Sequence, residues 1–199
     1  MVVSRSRVKD TWKTKNWFII YSPRYFGNIE IGETVTNDPD KLLGRVVETT
    51  LYDITGDLSL GHISLLFQIR ELKENSAHTI FKGHNFARDY LRSLVRRGST
   101  RIDGRFSITT KDKYRLIVST IAFTHNRAKT SQERRIREIM KEVVYRKSKA
   151  LTFQQFVHEC VLGKVGSEIY NESKKIMPLR KCEVRKSKLV GEPVKKTDD

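Results

Sequence analysis

Cysteine is scarce in this 199-residue chain: Cys160 and Cys182 are the only two, and no repeating spacing links them. That argues against a disulfide frame and for two small apolar side chains in a reducing compartment. Long apolar runs are missing as well. Trp17-Phe18-Ile19-Ile20-Tyr21 is typical of the runs present, whereas a membrane span needs about 20 residues. The opening residues, Met1 to Arg7, hold no apolar stretch of a secretory signal. Proline is rare, at four residues, and no Pro/Gly linker, low-complexity tract or internal repeat divides the chain.

The residue patterns of catalysis and cofactor binding are equally thin. The possible zinc ligands are His62, His78, His84, His125, His158, Cys160 and Cys182. They include no C-x₂₋₄-C pair, and His158 and Cys160 lie two apart, on opposite sides of any helix. No metal and no cofactor are therefore expected. Gly56 and Gly61 have the G-x₄-G spacing of a phosphate loop, but His62 and Ile63 stand where Lys and Ser or Thr are needed. No serine sits in a G-x-S-x-G elbow. Asp53 and Asp57 flank a turn and are the one carboxylate pair able to chelate a metal, although turn aspartates more often bond their own backbone. No catalytic constellation emerges. Gly163-Lys164-Val165-Gly166 has the GXXG pattern with which some modules clamp a nucleic-acid backbone, and a helix C-cap followed by a new helix uses glycine in the same places.

What the chain has in quantity is positive charge. Lys and Arg total 39 against 23 Asp and Glu, a formal charge of +16. Solubility does not require that much, and the excess points to a polyanion. The cations fall on several segments. Arg5, Arg7, Lys13 and Lys15 make residues 1–16 a basic arm, disordered until it meets phosphates. One or both of Trp12, in that arm, and Trp17, just past it, are expected to dock on the domain or on a base. A hairpin carries Arg101 and Arg105. One helix and its approach carry Arg127, Lys129, Arg134, Arg135, Arg137, Lys147 and Lys149. A last strand adds Arg185, Lys186 and Lys188.

Hydrophobic periodicity supplies the scaffold. Ile63, Leu65, Phe67 and Ile69 alternate with more polar neighbours, as in a half-buried strand, and Gly44 to Ile54 reads as its partner. Asn85 is placed to cap a helix whose apolar face is Ala87, Tyr90, Leu91, Leu94 and Val95. Residues 101–109 and 114–123 make a β-hairpin through Lys111-Asp112-Lys113. Thr130 and Glu133 form a capping box ahead of Ile136, Ile139, Met140, Val143 and Val144. Further helices begin near Thr152 and Gly166, the second stopping before Pro178, and a strand runs from Leu179 to Val190. The expected organisation is a basic arm (1–16), a single α+β domain with a mostly antiparallel sheet (17–190) and a flexible tail (191–199).

Several segments together resemble the small-subunit ribosomal protein S-three-A family of archaea and eukaryotes. They are Leu43-Gly44-Arg45-Val46-Val47-Glu48 with Leu51 and Asp53; Phe81-Lys82-Gly83-His84 with Arg88-Asp89; and Lys129-Thr130-Ser131 continuing through Arg134-Arg135-Ile136-Arg137-Glu138-Ile139-Met140. To these add Val165-Gly166-Ser167-Glu168-Ile169, Ile176-Met177-Pro178-Leu179 and Val184-Arg185-Lys186. The resemblance extends from about Trp17 to Val190. It implies an antiparallel β-barrel-like core with packed helices, no catalytic activity, and a place in cytoplasmic ribosomes. That place is the platform of the small subunit, near the messenger exit and the 3′ end of the small-subunit rRNA. The implied partners are that rRNA, neighbouring small-subunit proteins and messenger RNA near the exit. The short C-terminus resembles archaeal members. Arg45, Arg88 and the cluster Arg134, Arg135 and Arg137 lie inside matching segments and are the rRNA contacts the resemblance suggests. Two other readings stay open: a metal-dependent RNA-processing enzyme using Asp53 and Asp57, and a free-standing RNA chaperone or translation regulator using the GXXG loop.

Overall fold

A computed structural model describes residues 15–193 together with Trp12. Of the expected flexible tail (191–199), residues 194–199 lie outside the described residues, as do Arg5, Arg7 and Lys13 of the basic arm, while Gly191 ends the last strand. The chain divides into two compact units. One holds the residues up to Val47 together with Phe67–Ile80, and the other holds Glu48–Leu66 together with the chain from Phe81 onward.

In the first unit β1 (Asn16–Tyr21) pairs antiparallel with β2 (Glu30–Thr36), from Asn16↔Thr36 to Tyr21↔Glu30. The reversal between them passes through Gly27 and Asn28, both at positive φ (93° and 52°), a backbone region that glycine and asparagine reach most cheaply. Alternation along β1 buries Phe18 and Ile20, which pack with Leu42, Ile69 and Ala77. Phe26 meets Phe67 edge-on at 5.5 Å.

Strand β3 (Val46–Thr50) pairs with β4 (Ile63–Lys73), and β4 pairs in turn with β5 (Ser76–Phe86). Ile63, Leu65, Phe67 and Ile69 are all buried, as their alternation predicts. The expected strand from Gly44 to Ile54 is shorter. The chain leaves it at Thr50, whose hydroxyl accepts from the Asp53 amide while the Asp53 carboxylate accepts from the Thr50 amide. That reciprocal cap starts a short helix, α1 (Leu51–Thr55).

In the second unit β6 (Arg101–Thr109) and β7 (Arg115–Thr124) form the expected hairpin, in register from Arg101↔Phe123 to Thr109↔Arg115. Strand β8 (Leu179–Gly191) lies between β7 and β5, antiparallel to both. Helices α3 (Thr130–Ala150), α4 (Phe153–Val161) and α5 (Lys164–Ser173) bury the stripes the sequence marks, among them Ile136, Met140, Val143 and Val144 of α3.

The α+β class holds, and the sheet of eight strands is mixed and open rather than closed as a barrel. Its parallel pairing joins β1 to β5 at Ile19↔Ser76, so the pattern is mostly antiparallel. Two local expectations differ. Asn85 belongs to β5, and the following helix, α2 (Arg88–Leu94), has Ala87 at its N-cap position and buries none of its residues. For α3, the Lys129 amide is met by the Gln132 side chain at 3.0 Å, while Glu133 pairs with Arg137. Gln132 thus takes the cap position assigned to Glu133.

A polar pair fastens β8 to β5. His84 is fully buried; its Nε2 lies 2.9 Å from the Val184 carbonyl oxygen and its Nδ1 lies 2.7 Å from the Ser187 hydroxyl. The neutral ring satisfies both: Nε2–H donates to the carbonyl, and the hydroxyl donates to Nδ1. Burial pushes the His84 pKa down from 6.5 to about 4. The unfolded chain therefore binds the extra proton first. This contribution is complete above pH 6.5 and is lost as the pH falls toward 4, by up to about 3 kcal/mol. NMR titration of the folded protein should find the His84 ring neutral down to about pH 4; a midpoint near 6.5 would contradict the assignment.

Candidate nucleic-acid interface

Pairing register gathers cations from separate strands onto one sheet face of the second unit. Arg105 of β6 stands across from Ser119 of β7, which faces Lys186 of β8, which faces Asn85 of β5. In the adjacent row Ser107, Ile117, Lys188 and Gly83 succeed one another. Arg105, Lys186 and Lys188 therefore leave the sheet on one side and are exposed. Two strand spacings, about 10 Å, separate Arg105 from Lys186, and about 7 Å of strand separates Lys186 from Lys188. The acids on this face are already paired: Asp103 with Arg101 at 2.9 Å, and Glu183 with Lys181 at 2.8 Å.

A bulge creates this face. Ser119 faces Lys186 but Thr120 faces Val184, leaving Arg185 as the extra residue of β8. Cys182 and Val184 point inward before the bulge, and Ser187 and Leu189 point inward after it. Plain alternation would have sent Lys186 and Lys188 into the core with Val184.

The opposite face of the hairpin carries α3. Thr120 Oγ1 donates to the Met140 sulfur, and Arg137 and Tyr145 donate to the β6 backbone carbonyls of Asp103 (3.2 Å) and Ser107 (3.0 Å). Those two bonds occupy carbonyls that a bare sheet edge would leave to solvent or to another chain.

The basic helix then divides into two parts. Toward its start, Arg127, Lys129 and Arg134 are exposed and have no carboxylate within ion-pair distance among the described residues. Arg135 is held by Glu138 at 2.9 Å, which raises its pKa, and Arg137 by Glu133 at 3.1 Å. Toward its end the charge is spent on packing. Lys147 bridges Glu159 of α4 (2.8 Å) and Glu168 of α5 (2.6 Å), with only 19% of its side chain exposed, and Arg146 binds Glu172 at 2.7 Å. Hydrogen bonding to Glu159 and Glu168 raises the Lys147 pKa. Lys149 is exposed.

Arg88 is exposed at the first position of α2. In the first unit, Arg45 donates to Thr34 Oγ1 at 2.6 Å and is exposed, and the Lys15 ammonium lies 4.4 Å from the Trp12 ring centre. Trp12 and Trp17 are both more than half exposed, so the expected docking of a tryptophan into the domain is not what this structure shows. The same unit has a cavity of about 260 Å³ lined by Arg24, Arg70, Lys73 and His78. Arg24, Arg70 and Lys73 form no charge run, so no linear pattern marks them as a cluster, and Arg96 and Arg97 are exposed just beyond α2.

The comparisons with known proteins agree with one another. Residues 3–193 match the model of the ribosomal S3Ae family. The chain is 52% identical over 186 residues to small ribosomal subunit protein eS1 of Staphylothermus marinus, covering 94% of this chain and 88% of that protein. It is 45% identical to the protein of that name from Archaeoglobus fulgidus (94% and 90% covered) and 44% to that from Methanothermobacter thermautotrophicus (95% and 97%).

The chain belongs to the ribosomal S3Ae family. As a member it is a structural constituent of the small ribosomal subunit and not an enzyme. The Asp53 carboxylate is engaged by Thr49 and Thr50, and that of Asp57 by the Ser59 amide, so both serve as caps and both have lowered pKa values. Among the described residues no group of three His, Cys, Asp or Glu could hold a metal ion, and no helix is long and apolar enough to cross a membrane. Both thiols are buried, which raises their pKa values, that of Cys182 to about 12. The GXXG segment is split between two structural duties. Gly163, at φ 76°, turns the chain into α5. Gly166 packs so tightly on β8 that a Cβ would lie 2.5 Å from the Cys182 carbonyl oxygen. A glycine pressed against a strand is not part of an open phosphate clamp.

Lys147→Ala should cost about 1–2 kcal/mol in a urea melt, between the worth of a surface pair and that of a buried one. Arg134→Ala, off the packed stripe, should change stability by less than about 0.5 kcal/mol. Equal effects would show that the ion pairs of Lys147 do not hold α3, α4 and α5 together.

Proposed function

We propose that this chain binds small-subunit rRNA on the platform, near the messenger exit and the rRNA 3′ end, through phosphate contacts spread over several elements. The observation that carries this reading is the exposed set Arg105, Lys186 and Lys188 on one sheet face, in a ribosomal protein of net charge +16. Arg127, Lys129, Arg134 and Lys149 extend the set along α3, with Arg135 and Arg137 able to exchange a carboxylate for a phosphate. Arg88, Arg101 and Arg185 add contacts beside them. On the first unit Lys15 and Arg45 take the same role, and Arg5, Arg7 and Lys13 order on the RNA backbone. Trp12 or Trp17 supplies a stacking surface for an unpaired base. Such contacts position an RNA fold and do not read its sequence. Messenger RNA leaving the subunit is a further partner in this location, which places the chain with cytoplasmic ribosomes. Both units are discontinuous in sequence, which supports treating residues 17–190 as one RNA-binding domain.

Arg134→Glu combined with Arg135→Glu replaces two outward cations and leaves the apolar stripe of α3 intact. The double variant should fold normally by circular dichroism yet co-sediment with small subunits at least tenfold less well at moderate salt. Undiminished co-sedimentation would mean that α3 is not on the RNA side.

A further inference from the structure

The longest stretch without Lys or Arg lies between Arg45 and Arg70 and contains Glu48, Asp53 and Asp57. Burial of β4 explains its second half, where a cation would be costly. It does not explain the first half. Glu48, Tyr52, Asp53, Asp57 and Leu58 are all exposed, Leu58 by 80%. The stretch between Lys149 and Lys164, which includes α4, also has no Lys or Arg. These two cation-free segments meet in the second unit. A cavity of about 250 Å³ is lined by Ser59 and Leu60 of one and by Val161 and Leu162 of the other, with Phe86 and Glu183 alongside. Leu162 at the rim is 52% exposed. Lys181 also reaches this cavity, but it is bound to Glu183 and to the Tyr90 hydroxyl and adds no net positive charge.

An RNA backbone gains little here: Lys164, exposed at the start of α5, is set against Glu48, Asp53 and Asp57, which repel phosphates. The recorded bonds of the two aspartates use Oδ2 of Asp53 and Oδ1 of Asp57, leaving the other oxygen of each to the surface. Apolar side chains as exposed as Leu58 and Leu162, rimmed by acids, suit a protein that offers an apolar anchor among Lys and Arg. We propose that the surface formed by Glu48–Gly61 and the α4–α5 corner docks a basic neighbouring protein of the small subunit, so that this chain turns its cationic faces to rRNA and this face to protein. The proposal rests on the ribosomal reading above and adds which face the neighbour takes.

The test uses the full chain assembled into small subunits. A photoreactive p-benzoylphenylalanine replaces Leu58 in one preparation and Lys186 in another, and the purified particles are irradiated. Leu58 is exposed enough that the change should not disturb the fold. The expected result is a ribonuclease-resistant adduct from position 58 to one small-subunit protein of net positive charge, identified by mass spectrometry. Its yield should fall severalfold when Glu48→Gln and Asp57→Asn remove two of the surface charges; asparagine keeps the cap oxygen that Asp57 supplies. Position 186 should give an adduct to rRNA. From position 58, an adduct to rRNA, to a second copy of this chain, or to nothing would overturn the proposal. If the chain were absent from the particles, or position 186 gave no rRNA adduct, the RNA-binding reading would fail instead.

Discussion

Strand β8 is hydrogen-bonded on both edges, to β5 and to β7, so its side chains can leave only through the two faces of the sheet. One face must be apolar, because α5 packs on it so closely that Gly166 has no room for a Cβ. Every cation of β8 therefore needs an outward or rim position. The bulge at Arg185 provides it by shifting the parity of the strand between Val184 and Lys186. His84 and Ser187 fix the same stretch from the β5 side. The core and the cationic face of this unit are two consequences of one register.

The charge of +16 is not spread evenly over equivalent sites. Cations that lie between elements are matched with acids and stabilise packing, as Lys147 does between α3, α4 and α5. Cations on outer faces, such as Arg105, Lys186 and Lys188, have no such match among the described residues. Only the second kind gains its full electrostatic energy from a phosphate, since the first must give up a carboxylate first. A count of Lys and Arg therefore overstates the interface, and the ion-pair map corrects it. The acidic and apolar loop around Leu58 follows the same logic with the sign reversed.

Much of the fold could be read from the residues. The alternation of Ile63 to Ile69, the hairpin of residues 101–124 and the buried stripes of α3 and α4 are strong periodic signals, and each element formed where its pattern stood. The misses have local causes. Thr50 to Asp53 is rich in β-forming residues, and the reciprocal cap outweighed that preference. β2 carries no alternating signal, because Glu30–Thr36 pairs along its length yet buries only Thr36, and β1 alternates only through Phe18 and Ile20 within an apolar run. The α2 stripe was periodic but had little to pack against. The candidate interface was legible as a charge excess and as family segments, not as a surface. Pairing partners, bulges and ion pairs decide which cations share a face, and none of them leaves a mark on the linear sequence. Arg24 lies far along the chain from Arg70 and Lys73 and joins them only around a cavity.

The most direct measurement is the salt dependence of binding to small-subunit rRNA, for the natural chain and for Arg105→Gln, Lys186→Gln, Lys188→Gln combined. If that sheet face neutralises phosphates, the slope of log K against log salt should become shallower by about 2–3 in the triple variant, with affinity lower at every salt concentration. An unchanged slope and affinity in a variant that folds normally would contradict the account, because those three cations would then face something other than RNA.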